Sequence, residues 1–205
     1  PINLSKRLML IRDVGVENKV ILDCGCGAGE YVEQFMNFRN TQVSGIEFSQ
    51  EKVNKYKERH PEAANVIQGD IENMPYADNA FDLIILNEVL EHVPDQRKAL
   101  KEIHRTLKPK GKVIIFSPNR FYPFETHGVF WKDTEKLISK ACPFIPYVPL
   151  RWGNKVFTYR ARNYFPAELS RLVSESNFKI KRHTYLTQTF EGIGGVNFLR
   201  PVRSV

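Results

Sequence analysis

Cysteine is scarce in this chain, with three residues in 205, too few for a disulfide scaffold. Cys24 and Cys26 form a C-x-C inside a glycine-rich stretch, without the usual spacing of zinc ligands, and Cys142 stands far from both. All three read as small packing residues, and no metal site is expected. No apolar run approaches the length of a membrane span and no signal peptide is read at the front, so the expected location is the cytoplasm. Internal repeats and low-complexity tracts are lacking. No Gly-Lys-Ser or Gly-Lys-Thr follows a glycine run, which excludes a P-loop. Against these absences the composition is that of an ordinary globule, 42% hydrophobic and 26% charged, at a length that suits one α/β domain with an adequate core.

The chemistry is concentrated in Val20-Ile21-Leu22-Asp23-Cys24-Gly25-Cys26-Gly27-Ala28-Gly29. An uninterrupted apolar run is the signature of a buried parallel strand. It stops at a carboxylate, and alternating glycines then let the backbone turn sharply and approach a ligand before the helix-like Glu30 to Phe35. A dinucleotide site has the spacing G-x-G-x-x-G or A, with the pyrophosphate on the helix N-terminus. Here Glu30 occupies the place of the third small residue. Glu30 and Asp23 repel a pyrophosphate and suit a ligand carrying positive charge, such as S-adenosylmethionine (SAM), with its sulfonium and ammonium.

Three further strand-like runs end on polar residues. Val43 to Glu47 ends in an acid about 20 residues beyond the first glycine, the spacing at which a carboxylate meets ribose hydroxyls, and Ser49 then reads as a helix N-cap. Asn65 to Ile71 leads into Gly69-Asp70, which places Asp70 to accept from an adenine amine, with Phe48 and Ile71 either sandwiching the ring or belonging to the core. Phe81 to Asn87 ends at Asn87. In an open α/β sheet such ends line one crevice, so Asp23, Glu47, Asp70 and Asn87 are expected to converge.

Together V-I-L-D-C-G-C-G-A-G at 20–29, G-I-E-F-S at 45–49, G-D-I-E-N-M-P-Y at 69–76, F-D-L-I-I-L-N-E-V-L-E-H-V at 81–93 and L-K-P-K-G-K-V-I-I-F at 107–116 resemble a class I SAM-dependent methyltransferase. The likeness is to the small-substrate group (methyltransferase type 11) that includes quinone-biosynthesis methyltransferases. The resemblance implies a Rossmann-like α/β fold: a seven-stranded, mostly parallel sheet with an antiparallel last strand and helices on both faces. It also implies SAM as cofactor, S-adenosylhomocysteine as product, and roles for individual residues. Asp23 with Gly25, Gly27 and Gly29 would contact the methionine end, Glu47 the ribose, Asp70 the adenine, and Asn87 the region near the sulfonium. The family usually carries a longer helical segment over the cofactor than Ile2 to Val14 supplies.

The remaining sequence concerns the acceptor. Residues 118–163 are rich in proline and aromatics and too long for a plain crossover, so they are expected to form a cap inserted after the fifth strand, with a short helix around Thr134 to Lys140. The expected division is one domain over 1–205: a SAM-binding half (1–117), the cap (118–163) and a closing part (164–205) with a helix from Pro166 and a hairpin of Phe178 to Thr187 with Val196 to Arg203. Within the cap Tyr122, Glu125, Trp131 and Tyr159 could orient substrate or pack the core. A hydroxyl acceptor benefits from a base titrating near neutrality, for which His127 and His92 are the candidates. The net charge of +7 fits a solvated surface, an anionic acceptor or a peripheral membrane contact. Nucleic acid is not expected, because Asn87-Glu88-Val89-Leu90 replaces the N-P-P-Tyr or N-P-P-Phe of nucleobase amine methyltransferases. The leading expectation is methyl transfer to a small or lipid-linked metabolite at oxygen; a noncatalytic SAM-binding regulatory subunit and an N-methyltransferase of a small amine are the alternatives, and the sequence leaves the oligomeric state open.

Overall fold

The computed structural model describes residues 2–123, 127–138 and 144–186. In chain order it holds α1 (Ile2–Val14), β1 (Val20–Cys24), α2 (Glu30–Met36), β2 (Gln42–Glu47), α3 (Gln50–Arg59), β3 (Val66–Gln68) and β4 (Phe81–Asn87). A 3₁₀ turn (Leu90–His92) follows, then α4 (Gln96–Thr106) and β5 (Leu107–Phe116). The five strands form one parallel sheet in the order β3-β2-β1-β4-β5. The order reverses between β1 and β4, and the carboxyl ends flanking such a switch point are where an open α/β sheet receives a ligand.

The apolar runs explain why this sheet is buried on both sides. Successive side chains of a strand point to opposite faces, so Ile21, Leu83 and Ile85 join a core with Ile11, Phe35, Val53 and Tyr56. Leu22, Ile84 and Leu86 join a second core with Leu90, Leu100 and Ile103. Each of these fully buried aliphatic side chains contributes about 1.5–3 kcal/mol. The helices begin where the sequence places their caps: Ser49 Oγ accepts from Lys52 N at 3.4 Å and Asp95 Oδ1 from Lys98 N at 3.0 Å, satisfying N–H groups that a helix start leaves open.

The seven-stranded expectation is corrected in detail. Among the described residues the main sheet has five strands, all parallel, and antiparallel pairing occurs in a second sheet of β6 (Val129–Trp131), β7 (Leu137–Ile138) and β8 (Phe157–Tyr159), in the order β7-β6-β8, built from the segment after β5. Of the helix expected around Thr134 to Lys140, residues 139 and 140 lie outside the described residues, 137–138 are β7 itself, and 134–136 belong instead to the turn between β6 and β7. Asp133 takes a left-handed φ of 58° there, and Thr134 bonds back to the Trp131 carbonyl through both its N–H (3.1 Å) and its hydroxyl (2.8 Å). These local bonds outcompete the helix. A second 3₁₀ turn (Ile145–Tyr147) and α5 (Leu150–Val156) precede β8. Helix α6 (Pro166–Glu175) starts at the expected proline and packs Leu169 and Leu172 on the second core. Of the expected closing hairpin, residues 178–186 form no strand: Phe178 touches the core while Ile180 and Tyr185 stay exposed, and the rest lies outside the described residues.

Candidate functional site

The glycine turn after β1 is tied to the end of β2 by a compact set of bonds. The N–H groups of Gly25 and Cys26 donate to the Ile46 carbonyl at 2.7 and 3.2 Å, and that of Gly27 donates to Glu47 Oε2 at 2.9 Å. The second oxygen of Glu47 accepts from Ser49 N at 3.0 Å, with Lys52 Nζ at 3.6 Å. Glu47 is almost wholly buried, yet a carboxylate has about four lone-pair sites, so two remain for a ligand's hydroxyls.

The glycines in this turn are not equivalent. Gly25, Gly27 and Gly29 all have positive φ. A Cβ on Gly29 would sit 2.2 Å from Tyr56 Cδ2 and one on Gly25 2.4 Å from Val89 Cγ2, whereas on Gly27 the nearest neighbour is Glu30 Oε2 at 3.9 Å. Gly25 and Gly29 therefore close the turn against protein, and Gly27 borders open space. Gly27→Ala is expected to lower thermal stability only by left-handed strain, about 1–2 kcal/mol, while removing most SAM affinity. Gly29→Ala should lose more stability than Gly27→Ala because Tyr56 must also move; thermal denaturation and calorimetric SAM titration of the two variants check the pair.

Asp23, the last acid of β1, is 1% exposed, and its Oδ2 has no hydrogen-bond partner. Burial, and then the charges of Glu47 and Glu30, push its carboxyl up to about 8. A buried acid with a vacant oxygen beside two other acids is a place built for a cation. Across the switch point Asn87 Oδ1 accepts from Arg7 Nη1 of α1, whose Nη2 also pairs with Glu88. Arg7 had no signal in the sequence, because its partners lie on a strand remote in the chain. Phe48 projects fully clear of the core at 73% exposure, and Ile71 is buried in it. Asp70 is exposed beyond β3, its Oδ1 accepting from Glu72 N at 2.9 Å. The glycine turn and Glu47 thus form one bonded unit, with Asp23 at the end of β1 beside it and Asn87 on the neighbouring strand; Asp70 and Phe48 follow the ends of β3 and β2.

The thiols in the turn take no part in reactive chemistry. Cys24 and Cys26 are buried on opposite cores, and desolvation raises both thiols far above their ordinary range. Cys142 lies outside the described residues.

His92 and His127 are brought together, their ring centroids 5.2 Å apart at 73°. Close to both lies Glu91, missed in the sequence because a single acid in a turn carries no pattern. Its side chain is fully buried, burial pushes its carboxyl up to about 8, and His127 Nε2 stands 3.8 Å from its Oε1. The turn is pinned from the far side of the chain, with Arg162 N donating to the Glu91 carbonyl at 3.1 Å and Tyr164 Oη to the Leu90 carbonyl at 3.2 Å. Trp131 and Tyr159 sit on adjacent strands of the small sheet, Trp131 against Phe157 at 5.5 Å. Tyr122 follows a turn closed on Asn119 at 3.0 Å, and Glu125 lies outside the described residues. None of the described helices is long and apolar enough to cross a membrane.

Comparison with known proteins bears on what this crevice holds. A methyltransferase domain family matches residues 22–115. An uncharacterised protein of Methanocaldococcus jannaschii is 42% identical over 107 residues, covering 51% of this chain and 44% of its own. A demethylmenaquinone methyltransferase of Staphylococcus aureus is 34% identical over 119 residues, covering 56% and 49%. The chain spans about half the length of the curated relatives it matches. The crystal structure of an S-adenosylmethionine-dependent methyltransferase from Mesorhizobium loti shares the fold, with TM-score 0.59 and 17% identity over 82% of this chain and 77% of that one. Residues 22–115 thus match a methyltransferase domain family, on a fold shared with an S-adenosylmethionine-dependent methyltransferase.

Proposed function

We propose that this protein transfers the methyl group of SAM to an oxygen of a small or lipid-linked metabolite. One observation carries the donor assignment: the buried Asp23 carboxyl, whose Oδ2 has no partner, together with the open face of Gly27 and the spare lone pairs of Glu47. A cationic amino-acid end fits against Asp23 and the turn, and a ribose against Glu47. The adenine would extend toward Asp70, with the exposed Phe48 ring covering one face.

The reaction asks little of the protein beyond alignment. The acceptor oxygen forms a bond to the methyl carbon as the carbon–sulfur bond breaks, its electron pair stays on sulfur, and S-adenosylhomocysteine leaves as a neutral thioether. Holding the reactants in line supplies roughly 7–11 kcal/mol in favourable cases. The hydroxyl proton goes to the Glu91–His92–His127 group, the one cluster of titratable bases next to the end of β4 among the described residues.

The lipid-linked option draws on two features. The Staphylococcus relative is named as a methyltransferase of demethylmenaquinone. In this chain Phe121, Phe144, Tyr147 and Phe165 form an exposed aromatic cluster, with ring pairs 5.4 and 5.9 Å apart and Tyr147 Oη donating to the Phe121 carbonyl at 2.7 Å. Exposed Trp152 nearby in sequence carries the Arg151 guanidinium 4.8 Å from its ring. Aromatic surface edged by cations suits the boundary of an anionic lipid layer.

The test is incubation of the full chain with methyl-tritiated SAM and a hydroxylated isoprenoid quinol dispersed in anionic vesicles, followed by extraction. The expected result is label in the lipid phase as a methyl ether. Label appearing only on added small amines would contradict the oxygen assignment, and saturable SAM binding without transfer to any acceptor would favour a noncatalytic subunit.

A further inference from the structure

The Glu91–His92–His127 cluster is built more fully than a proton acceptor requires. One donor atom from each residue lies within 4.8 Å of the others. Bonds of about 2.0–2.2 Å to a zinc-like ion bring its ligand atoms to within about 4 Å of one another, so a small side-chain closure completes the set. His127 Nε2 and Glu91 Oε1 are already at 3.8 Å.

Two independent features point to a ligand. Glu91 is 4% exposed and neither of its carboxylate oxygens has a partner at hydrogen-bond geometry, the Ser117 hydroxyl being near enough only to ease its ionisation slightly. Nδ1 of His92 lies 3.1 Å from the Arg160 carbonyl. That acceptor holds a proton on Nδ1, leaves the Nε2 lone pair free, and orients the ring, the outer support that metal-ligating histidines characteristically have. Glu88 stays outside the set because Arg7 takes it.

We infer that Glu91, His92 and His127 form a site for one divalent transition-metal ion of the zinc class, with at least one coordination position left open. Two imidazoles and a carboxylate select such an ion over magnesium or calcium, which prefer all-oxygen sets. The ion would clamp the 3₁₀ turn at the sheet edge to the segment that carries His127. Its catalytic role rests on the oxygen-acceptor reading above, with the ion taking the place of direct proton transfer to these side chains: a hydroxyl at the open position would lose its proton to solvent more readily and present a lone pair to the methyl carbon.

The test uses the full chain without a histidine tag, stripped with chelator and titrated with Co²⁺ alone while visible absorption is followed. One equivalent is expected to produce ligand-field bands that one equivalent of Zn²⁺ abolishes. His92→Ala, His127→Ala and Glu91→Gln should each weaken Co²⁺ at least about tenfold, while His92→Ala keeps the wild-type calorimetric affinity for SAM and so reports an intact fold. No spectral change in the wild-type protein, or unchanged Co²⁺ affinity in the three variants, overturns the site. Loss of SAM binding with Co²⁺ binding intact would sink the donor reading alone.

Discussion

Glu47→Ala should weaken SAM binding by at least about a hundredfold. A charged acceptor contributes about 1.5–3 kcal/mol per hydrogen bond, and two ribose hydroxyls are at stake, so the expected loss is about 3–6 kcal/mol, each 1.4 kcal/mol being tenfold. Part of that loss comes through the protein, since Glu47 also receives the Gly27 and Ser49 N–H groups and its removal loosens the turn. Glu47→Gln separates the two contributions: its amide oxygen can accept from one backbone N–H but carries no charge for the ribose. Its thermal stability should lie between wild type and Glu47→Ala, with SAM affinity close to that of the alanine variant. Calorimetric titration and thermal denaturation of the three proteins give both numbers.

The second large effect belongs to Asp23. With its carboxyl near 8 in the ligand-free protein, the acid is mostly protonated at pH 6, and a ligand cation must draw the proton off. SAM affinity should therefore rise on the order of tenfold per pH unit below pH 8, pass through a maximum and then fall as the ligand's own amino group, with a pKa near 7.7–8.0, loses its charge. Asp23→Asn should abolish that slope and cost about 2–5 kcal/mol of binding, as loss of one partner of a buried charge pair does.

The same group sets a stability trend of definite sign. A carboxyl raised in the folded state binds more protons than in the unfolded chain between about pH 4 and 8, so stability falls as pH rises through that window. The Asn variant lacks this penalty. Ligand-free Asp23→Asn should melt above wild type at pH 8 and show its smallest advantage near pH 4, as measured by thermal denaturation across pH.

Much of the frame was legible because it rests on local patterns. The apolar runs at 20–22 and 83–86 read as strands buried on both faces, and Ser49 and Asp95 mark helix starts by capping chemistry. Asp23, Glu47 and Asn87 were legible for the same reason: a polar residue closing an apolar run has a fixed place at the sheet's carboxyl edge. Where structure depends on distant partners the sequence was a poorer guide. Nothing around Arg7 announces that it reaches Asn87 and Glu88, and Glu91 gains its meaning only when the fold brings His127 beside it. In the stretch after β5 a short helix was expected around Thr134 to Lys140, but the left-handed Asp133 and the bonds of Thr134 to the Trp131 carbonyl make a turn. The aromatic segment forms a small antiparallel sheet that no local pattern in the sequence announced.

The account stands on a cationic adenosyl donor, not a diphosphate, occupying the crevice between β1 and β4. Calorimetric titration of the full chain with SAM and, separately, with NAD⁺ tests this most directly. One saturable SAM site in the micromolar range and no heat of binding with NAD⁺ is the predicted result. NAD⁺ binding at one site, with SAM unable to compete for it, would contradict the account.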